Sequence, residues 1–167
     1  LAEGRSLTTG RLKEQLRPFL PASLGDNRAV QVRAPGDTPG FRAGYAELGK
    51  RGLSFEAWLS FHQIPRLARL ARAHPEVPIV LNHCGGVLGI RGYANRRDEV
   101  FATWSAHMRA LAACPNVMVK CGGLGMRLPG FGLEQGAVAP SSNMLADAWR
   151  PWMEPIIEMF GKVDGCS

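Results

Sequence analysis

The sequence predicts an α/β protein assembled from parallel strand–helix units. Three observations predict it. Short apolar runs at residues 53–59, 77–81 and 117–119 read as strands, and the last two are continuous enough to be buried on both faces. Each is followed along the chain by a stretch with apolar residues at helical spacing. Glycine accounts for 20 of 167 residues, well above the usual ~7%, which suits a loop-rich fold better than a helical bundle. Repeated strand–helix order implies a parallel sheet, either doubly wound or closed as a barrel.

The elements follow in chain order. Leu12, Leu16, Phe19 and Leu20 have helical spacing, ended by Pro18 and Pro21, and residues 27–33 alternate like a strand. Pro35-Gly36 and Pro39-Gly40 mark turns. Phe41, Tyr45 and Leu48 define a short amphipathic helix over 41–50, stopped near Gly52. After the 53–59 strand, a helix over 63–74 carries Pro65 in its first turn and Ile64, Leu67, Leu70 and Ala71 on one face. After the 77–81 strand, residues 98–113 place Val100, Phe101, Trp104, Met108 and Leu111 at 3.6-residue spacing. After the 117–119 strand, Ser141 or Ser142 caps a helix toward Phe160, with Leu145, Trp149, Trp152 and Ile156 along one side. Pro151 and Pro155 are expected to kink or break it.

Composition narrows the function classes. The chain is 46% hydrophobic and 20% charged, which is globular rather than disordered. No run approaches the roughly 18 apolar residues of a membrane span. The opening residues carry no signal-peptide core and no methionine, so the chain is expected to be part of a longer one. The net charge of +6 is dispersed, and Arg66, Arg69 and Arg72 read as a solvated helix face. This argues against nucleic acid as the partner. Four cysteines without a C-x-x-C pair exclude a zinc ribbon and a disulfide scaffold, and imply a reducing, cytoplasmic setting. Cys84 and Cys121, each ending an apolar run, read as buried thiols.

In parallel α/β proteins chemistry gathers in the loops after the strands. The 77–81 strand is followed by Asn82-His83-Cys84-Gly85-Gly86, placing a histidine at a strand end beside two glycines. Position alone fits a ligand or metal site, and fits equally a histidine hydrogen-bonded at a strand end. Lys120 follows the 117–119 strand and either meets an anion or simply emerges at the rim. His62 follows the 53–59 strand and reads equally as a first-turn helix residue. His74 and His107 read as surface or packing residues. No H-E-x-x-H, P-loop or G-x-S-x-G motif is present.

From residue 41 on, the chain resembles the amidohydrolase-related TIM-barrel hydrolases, a group that includes lactonases. The resemblance rests on ordered segments. They are Phe-Arg-Ala-Gly-Tyr-Ala-Glu-Leu from 41, Arg-Gly-Leu-Ser-Phe-Glu-Ala-Trp from 51, and Pro-Ile-Val-Leu-Asn-His-Cys-Gly-Gly from 78. Tyr-Ala-Asn-Arg-Arg-Asp-Glu-Val from 93, Cys-Pro-Asn-Val-Met-Val-Lys-Cys-Gly-Gly-Leu-Gly-Met from 114 and Ala-Trp-Arg-Pro-Trp from 148 complete them. Residues 1–40 match poorly, which divides the chain into an N-terminal segment and a partial barrel domain over 41–167. A complete (β/α)₈ barrel takes about 250 residues, so an incomplete barrel is implied.

The resemblance further implies hydrolysis of a lactone or cyclic amide by carboxylate-activated water, with a small molecule as substrate. His83 matches the catalytic histidine after the sixth strand and would be the ligand of a divalent metal, zinc or manganese, where one is bound. Trp58, His62, Tyr93, Arg97 and Lys120 are the implied substrate contacts. The chain departs from the family in four ways. It lacks the first-strand H-x-H and the final-strand aspartate, His62 is displaced by one position, and Pro155 interrupts a helix expected to be continuous. A fragment inactive by itself is therefore expected, and a non-catalytic barrel remnant or interaction module is the alternative. Unpaired sheet edges and uncovered apolar helix faces further imply self-association.

Overall fold

The computed structural model describes residues 39–161 except 134, 137 and 138. The expected helix near Leu12–Leu20 and the strand at 27–33 lie outside the described residues. In order, the described elements are α1 (Pro39–Lys50), β1 (Phe55–Ala57), α2 (Ile64–Ala73), β2 (Ile79–Leu81), α3 (Arg97–Ala112), β3 (Val117–Val119) and α4 (Ser142–Phe160). Single helical turns at Phe61–Gln63, His83–Gly86 and Arg91–Tyr93 sit in the connections.

The three strands form one parallel sheet in sequential order, β1-β2-β3. Phe55, Ile79 and Val117 are in register, as are Ala57, Leu81 and Val119. Side chains alternate along a strand, so these rows share one face. That face is buried: Ala57, Ile79 and Leu81 are fully covered. The intervening row, Glu56, Val80 and Met118, points the other way. Glu56 is exposed, Val80 half-buried, and Met118 55% exposed. The helices cover one face, and the other is the inner face of a barrel sector.

Helix packing follows from the periodicity. Ile64, Leu67, Ala68 and Ala71 of α2 and Val100, Trp104, Met108 and Leu111 of α3 are buried in one core. Each large side chain of this kind contributes about 1.5–3 kcal/mol on burial. The sequence expectation left the α3 and α4 apolar faces partly wet. Instead Trp104, Met108 and Leu111 are completely buried and Trp152 nearly so. The helices cover one another: Trp152 meets Trp104 edge-on at 5.1 Å and Phe101 at 5.2 Å between ring centres. Trp149 is half-buried.

Two polar devices fix the ends. The Asn116 amide, just before β3, lies within hydrogen-bond distance of the carbonyls of Ala71, His74 and Val77 at 3.2, 3.1 and 3.0 Å, satisfying groups at the end of α2. Ser141 accepts the Met144 N–H at 3.3 Å and caps α4. The expected break at the prolines does not occur, and α4 runs as one helix through Pro151 and Pro155. The carbonyls that lose helical partners belong to Asp147 and Pro151, both exposed, where water replaces the missing N–H.

Candidate active site

The site is built where β2 ends. Asn82 continues the strand, its N–H donating to Ala57 O at 2.9 Å, and the chain then turns abruptly. His83, Cys84, Gly85 and Gly86 all have positive φ, of 55, 52, 74 and 66°. A non-glycine residue there costs about 1–2 kcal/mol, so neighbours must impose the turn. They do so through Cys84. Its N–H donates to Lys120 O at 3.0 Å and its thiol to Gly122 O at 3.3 Å, while the Trp104 indole N–H donates to Cys84 O at 2.8 Å. Burial pushes the Cys84 thiol up to about 11, which keeps it neutral and unreactive at neutral pH. Two glycines admit the turn. A side chain at Gly86 would start 1.8 Å from Leu59 O, and one at Gly123 would start 2.5 Å from His83 Nδ1. His83 is thus lodged against the β3 loop, with Trp58 edge-on to its ring at 5.3 Å.

The other side chains here come from the inner face. By the period of two, Trp58, Asn82 and Lys120 lie one step above the Glu56 row. Lys120 Nζ is 2.9 Å from Glu56 Oε1, and Asn82 Nδ2 donates to Glu56 Oε2 at 3.4 Å. The Lys120 hydrogen bond, reinforced by Asn82 and the nearby charges of Lys120 and His83, holds the Glu56 carboxyl below the usual carboxylate range despite an opposing effect of desolvation. Asn82 is only 6% exposed, and its Oδ1 is buried with no hydrogen-bond partner.

Five of the six sequence candidates fall into two groups, and His62 stands apart. Trp58 and His83 line one cleft with Leu59, Gly86, Met126 and Leu128, and Lys120 lies on the adjoining inner face. Tyr93 and Arg97 line a second cleft, which shares Val87, Leu88 and Pro129 with the first. There the Arg97 guanidinium lies 4.2 Å from the Phe131 ring centre and donates to Gly130 O at 3.2 Å. His62 is exposed and stacks on Tyr93 at 6.3 Å, but it lines neither cleft. Glu56 and Asn82 were not singled out from the sequence as site residues. The available signal was one charge inside an otherwise apolar strand, Leu-Ser-Phe-Glu-Ala-Trp-Leu.

The cysteines and remaining histidines divide as follows. Cys84 is buried as expected, but Cys121 is exposed, because β3 stops at Val119 and the chain has left the sheet by then. His74 packs edge-on against Tyr45 at 5.1 Å and meets Glu76 at 3.2 Å, and His107 Nδ1 lies 3.0 Å from Phe61 O. Both are packing residues. A divalent metal needs a convergent donor set, and no group of three or more His, Cys, Asp or Glu side chains exists among the described residues. Glu56, the carboxylate nearest the site, is already paired with Lys120. The described residues do not by themselves make a metal centre.

A parallel sheet with helices on one face, and polar side chains gathered at its C-terminal edge on the other, is a sector of a β/α barrel. The chain belongs to the amidohydrolase family, whose model matches residues 16–162. An uncharacterised protein, y4mH, of Sinorhizobium fredii (strain NBRC 101917 / NGR234) is 35% identical over 124 residues, which cover 74% of this chain and 35% of that protein. Two solved structures of an amidohydrolase from Burkholderia multivorans share the fold. One, with bound zinc, superposes with a TM-score of 0.62 at 24% identity, covering 79% of this chain and 42% of that one. The other, with bound HEPES, gives 0.63 at 22% identity, covering 90% and 51%. The chain therefore spans about a third of the curated relative and about half or less of the solved chains.

Proposed function

We propose that this chain is the His83-bearing sector of a hydrolase that opens a lactone or cyclic amide. The observation that carries the reading is the strained turn at residues 83–86, which points chemistry at the strand ends and is held by Cys84, Trp104 and Gly123. In this reading water adds to the ring carbonyl, the ring C–O or C–N bond breaks, and the proton lost by water reaches the departing oxygen or nitrogen. His83 hydrogen-bonds the carbonyl oxygen as negative charge grows on it. Trp58 forms the wall beside it. Lys120 reaches the substrate from the adjoining inner face, and Tyr93 and Arg97 hold its remote end from the adjoining cleft. Glu56 is a poor base, because Lys120 stabilises its ionised form. The base is assigned to a carboxylate outside the described residues. No described helix is long and apolar enough to cross a membrane, and a cytoplasmic, small-molecule enzyme is proposed.

The test is hydrolysis of a panel of sugar and dicarboxylate lactones by the full gene product and by the 167-residue chain alone, with and without added zinc or manganese. Turnover by the full product that is lost in His83→Ala and absent from the chain alone supports the proposal. Turnover by the isolated chain shows that the base lies within the 167 residues and overturns the expectation that this chain is inactive by itself. No turnover by either preparation favours the non-catalytic remnant, for which the missing donor set among the described residues is the specific observation.

A further inference from the structure

Glu56 stands on the middle row of the inner face, on β1 at one edge of the described sheet, and reaches upward to the ends of β2 and, beyond it, β3. One carboxylate oxygen accepts from Lys120 of the β3 end and the other from Asn82 of the β2 end. A single side chain thus links the C-terminal ends of all three strands. The ion pair is open to solvent, with side chains 51% and 56% exposed, and open pairs add little to stability because water screens them. Its worth as a structural fastening is small. What it does fix is orientation.

Asn82 supplies the second observation. Its amide nitrogen is directed at Glu56, which settles the amide orientation, since an oxygen there would face a carboxylate oxygen. The consequence is that Oδ1 is buried without a donor. Oδ1 has no surface open to solvent, so the Asn82 side chain is held by its Nδ2 contact with Glu56 rather than by water.

We propose that Glu56 is a positioning residue of this site: it fixes the Asn82 amide, one residue before His83, and the Lys120 ammonium at the strand ends. The inference rests on the hydrolase reading for what the ligand does, and on the geometry alone for what Glu56 does. Glu56 itself need not touch the substrate. Lys120, expected from the sequence to meet an anion, here has its charge engaged by Glu56 and acts on the ligand as an oriented hydrogen-bond donor.

Two variants separate the two bonds. Glu56→Ala removes both, and Glu56→Gln keeps one acceptor oxygen but turns an amide N–H₂ toward one of the two donors. The full gene product is labelled with ¹⁵N, and the Asn82 side-chain amide and Lys120 ammonium signals are followed in wild type and both variants. Thermal unfolding is measured alongside. Turnover is measured with D-glucono-1,5-lactone as the probe. Expected are displaced Asn82 and Lys120 signals at a nearly unchanged melting temperature. A fall in kcat of about 10- to 100-fold in Glu56→Ala is also expected, since small misplacements of site groups cost that much, with a smaller fall in Glu56→Gln and KM changed less than kcat. Unchanged Asn82 and Lys120 signals overturn the positioning role whatever the activity. Displaced signals with kcat and KM unchanged overturn its bearing on the reaction. If wild type turns over no lactone, the hydrolase reading fails, and the signals still decide whether Glu56 orients Asn82.

Discussion

The two faces of the sheet obey different rules. On the helix side, Phe55, Ala57, Ile79, Leu81 and Val117 are all buried, and no charged side chain interrupts them. On the inner side, the same three strands present Glu56, Val80 and Met118, and one step higher Trp58, Asn82 and Lys120. Alternation alone separates a face that holds the chain together from a face that carries chemistry. The left-handed turn at His83 is where they meet. Trp104, from the helix side, holds the carbonyl of a turn whose histidine serves the inner side.

If that division is right, the largest effect comes from breaking the link from the helix side. Trp104 is fully buried, packs on Phe101 and Trp152, and ties down Cys84 O. Trp104→Ala is expected to cost about 3–5 kcal/mol by cavity formation alone, measured as a lower midpoint in urea. Trp104→Phe keeps most of the apolar volume but drops the N–H, leaving Cys84 O unpaired, and is expected to cost about 1–3 kcal/mol. Equal effects from the two variants would mean that the indole hydrogen bond does nothing for the turn.

The next effect comes from Cys84 and has a defined pH window. Burial raises its folded-state value to about 11, against ~8.5 in an unfolded chain. The folded state therefore favours the neutral thiol. The stabilisation is fully present below about pH 8.5 and is lost as pH rises toward 11, because the unfolded thiol ionises first. The loss amounts to about 3 kcal/mol. Tyr45, also raised by burial, acts with the same sign at higher pH. Urea unfolding at pH 8 and pH 10.5 checks the sign: wild type should lose more stability over that interval than Cys84→Ala, where the thiol is gone.

The same contrast explains what the sequence made legible. The helix-side face consists of apolar residues at fixed periods, and those periods located the three strands and the four helices to within a few residues. His83 and Lys120 followed from one rule, that chemistry sits after the strand. Glu56 escaped because it lies within the strand, where an outward polar residue of ordinary alternation looks the same. Asn82 escaped because a polar residue between strand and turn is commonplace, and only the buried, unpartnered Oδ1 separates it from a cap. His62 and Tyr93 are far apart along the chain, and nothing in either local pattern foretells that their rings stack. Cys121 was placed inside because the apolar run before it was read one step too far. Pro151 and Pro155 were expected to kink or break α4, and α4 is not broken, because the rule concerns hydrogen bonds and at an exposed face water replaces the missing donors.

The smallest expected effect on stability lies on the inner face, at Met118. It is 55% exposed on β3, which has a strand neighbour on one side only among the described residues. A methionine that stays wet contributes little to the folded chain, and surface substitutions of this kind usually change stability by no more than about 0.5 kcal/mol. Met118→Asp should therefore leave the urea midpoint nearly unchanged. It should change association instead. An exposed apolar side chain on an unpaired edge strand recruits other chains, so the 167-residue chain is expected to self-associate, and a charge at Met118 should oppose that contact. Sedimentation velocity over a concentration series checks both halves. Wild type should shift to larger species with concentration, and Met118→Asp should stay closer to monomer. A wild-type chain that remains monomeric throughout would show that the inner face is already covered, and a variant that unfolds would show that Met118 belongs to the core after all.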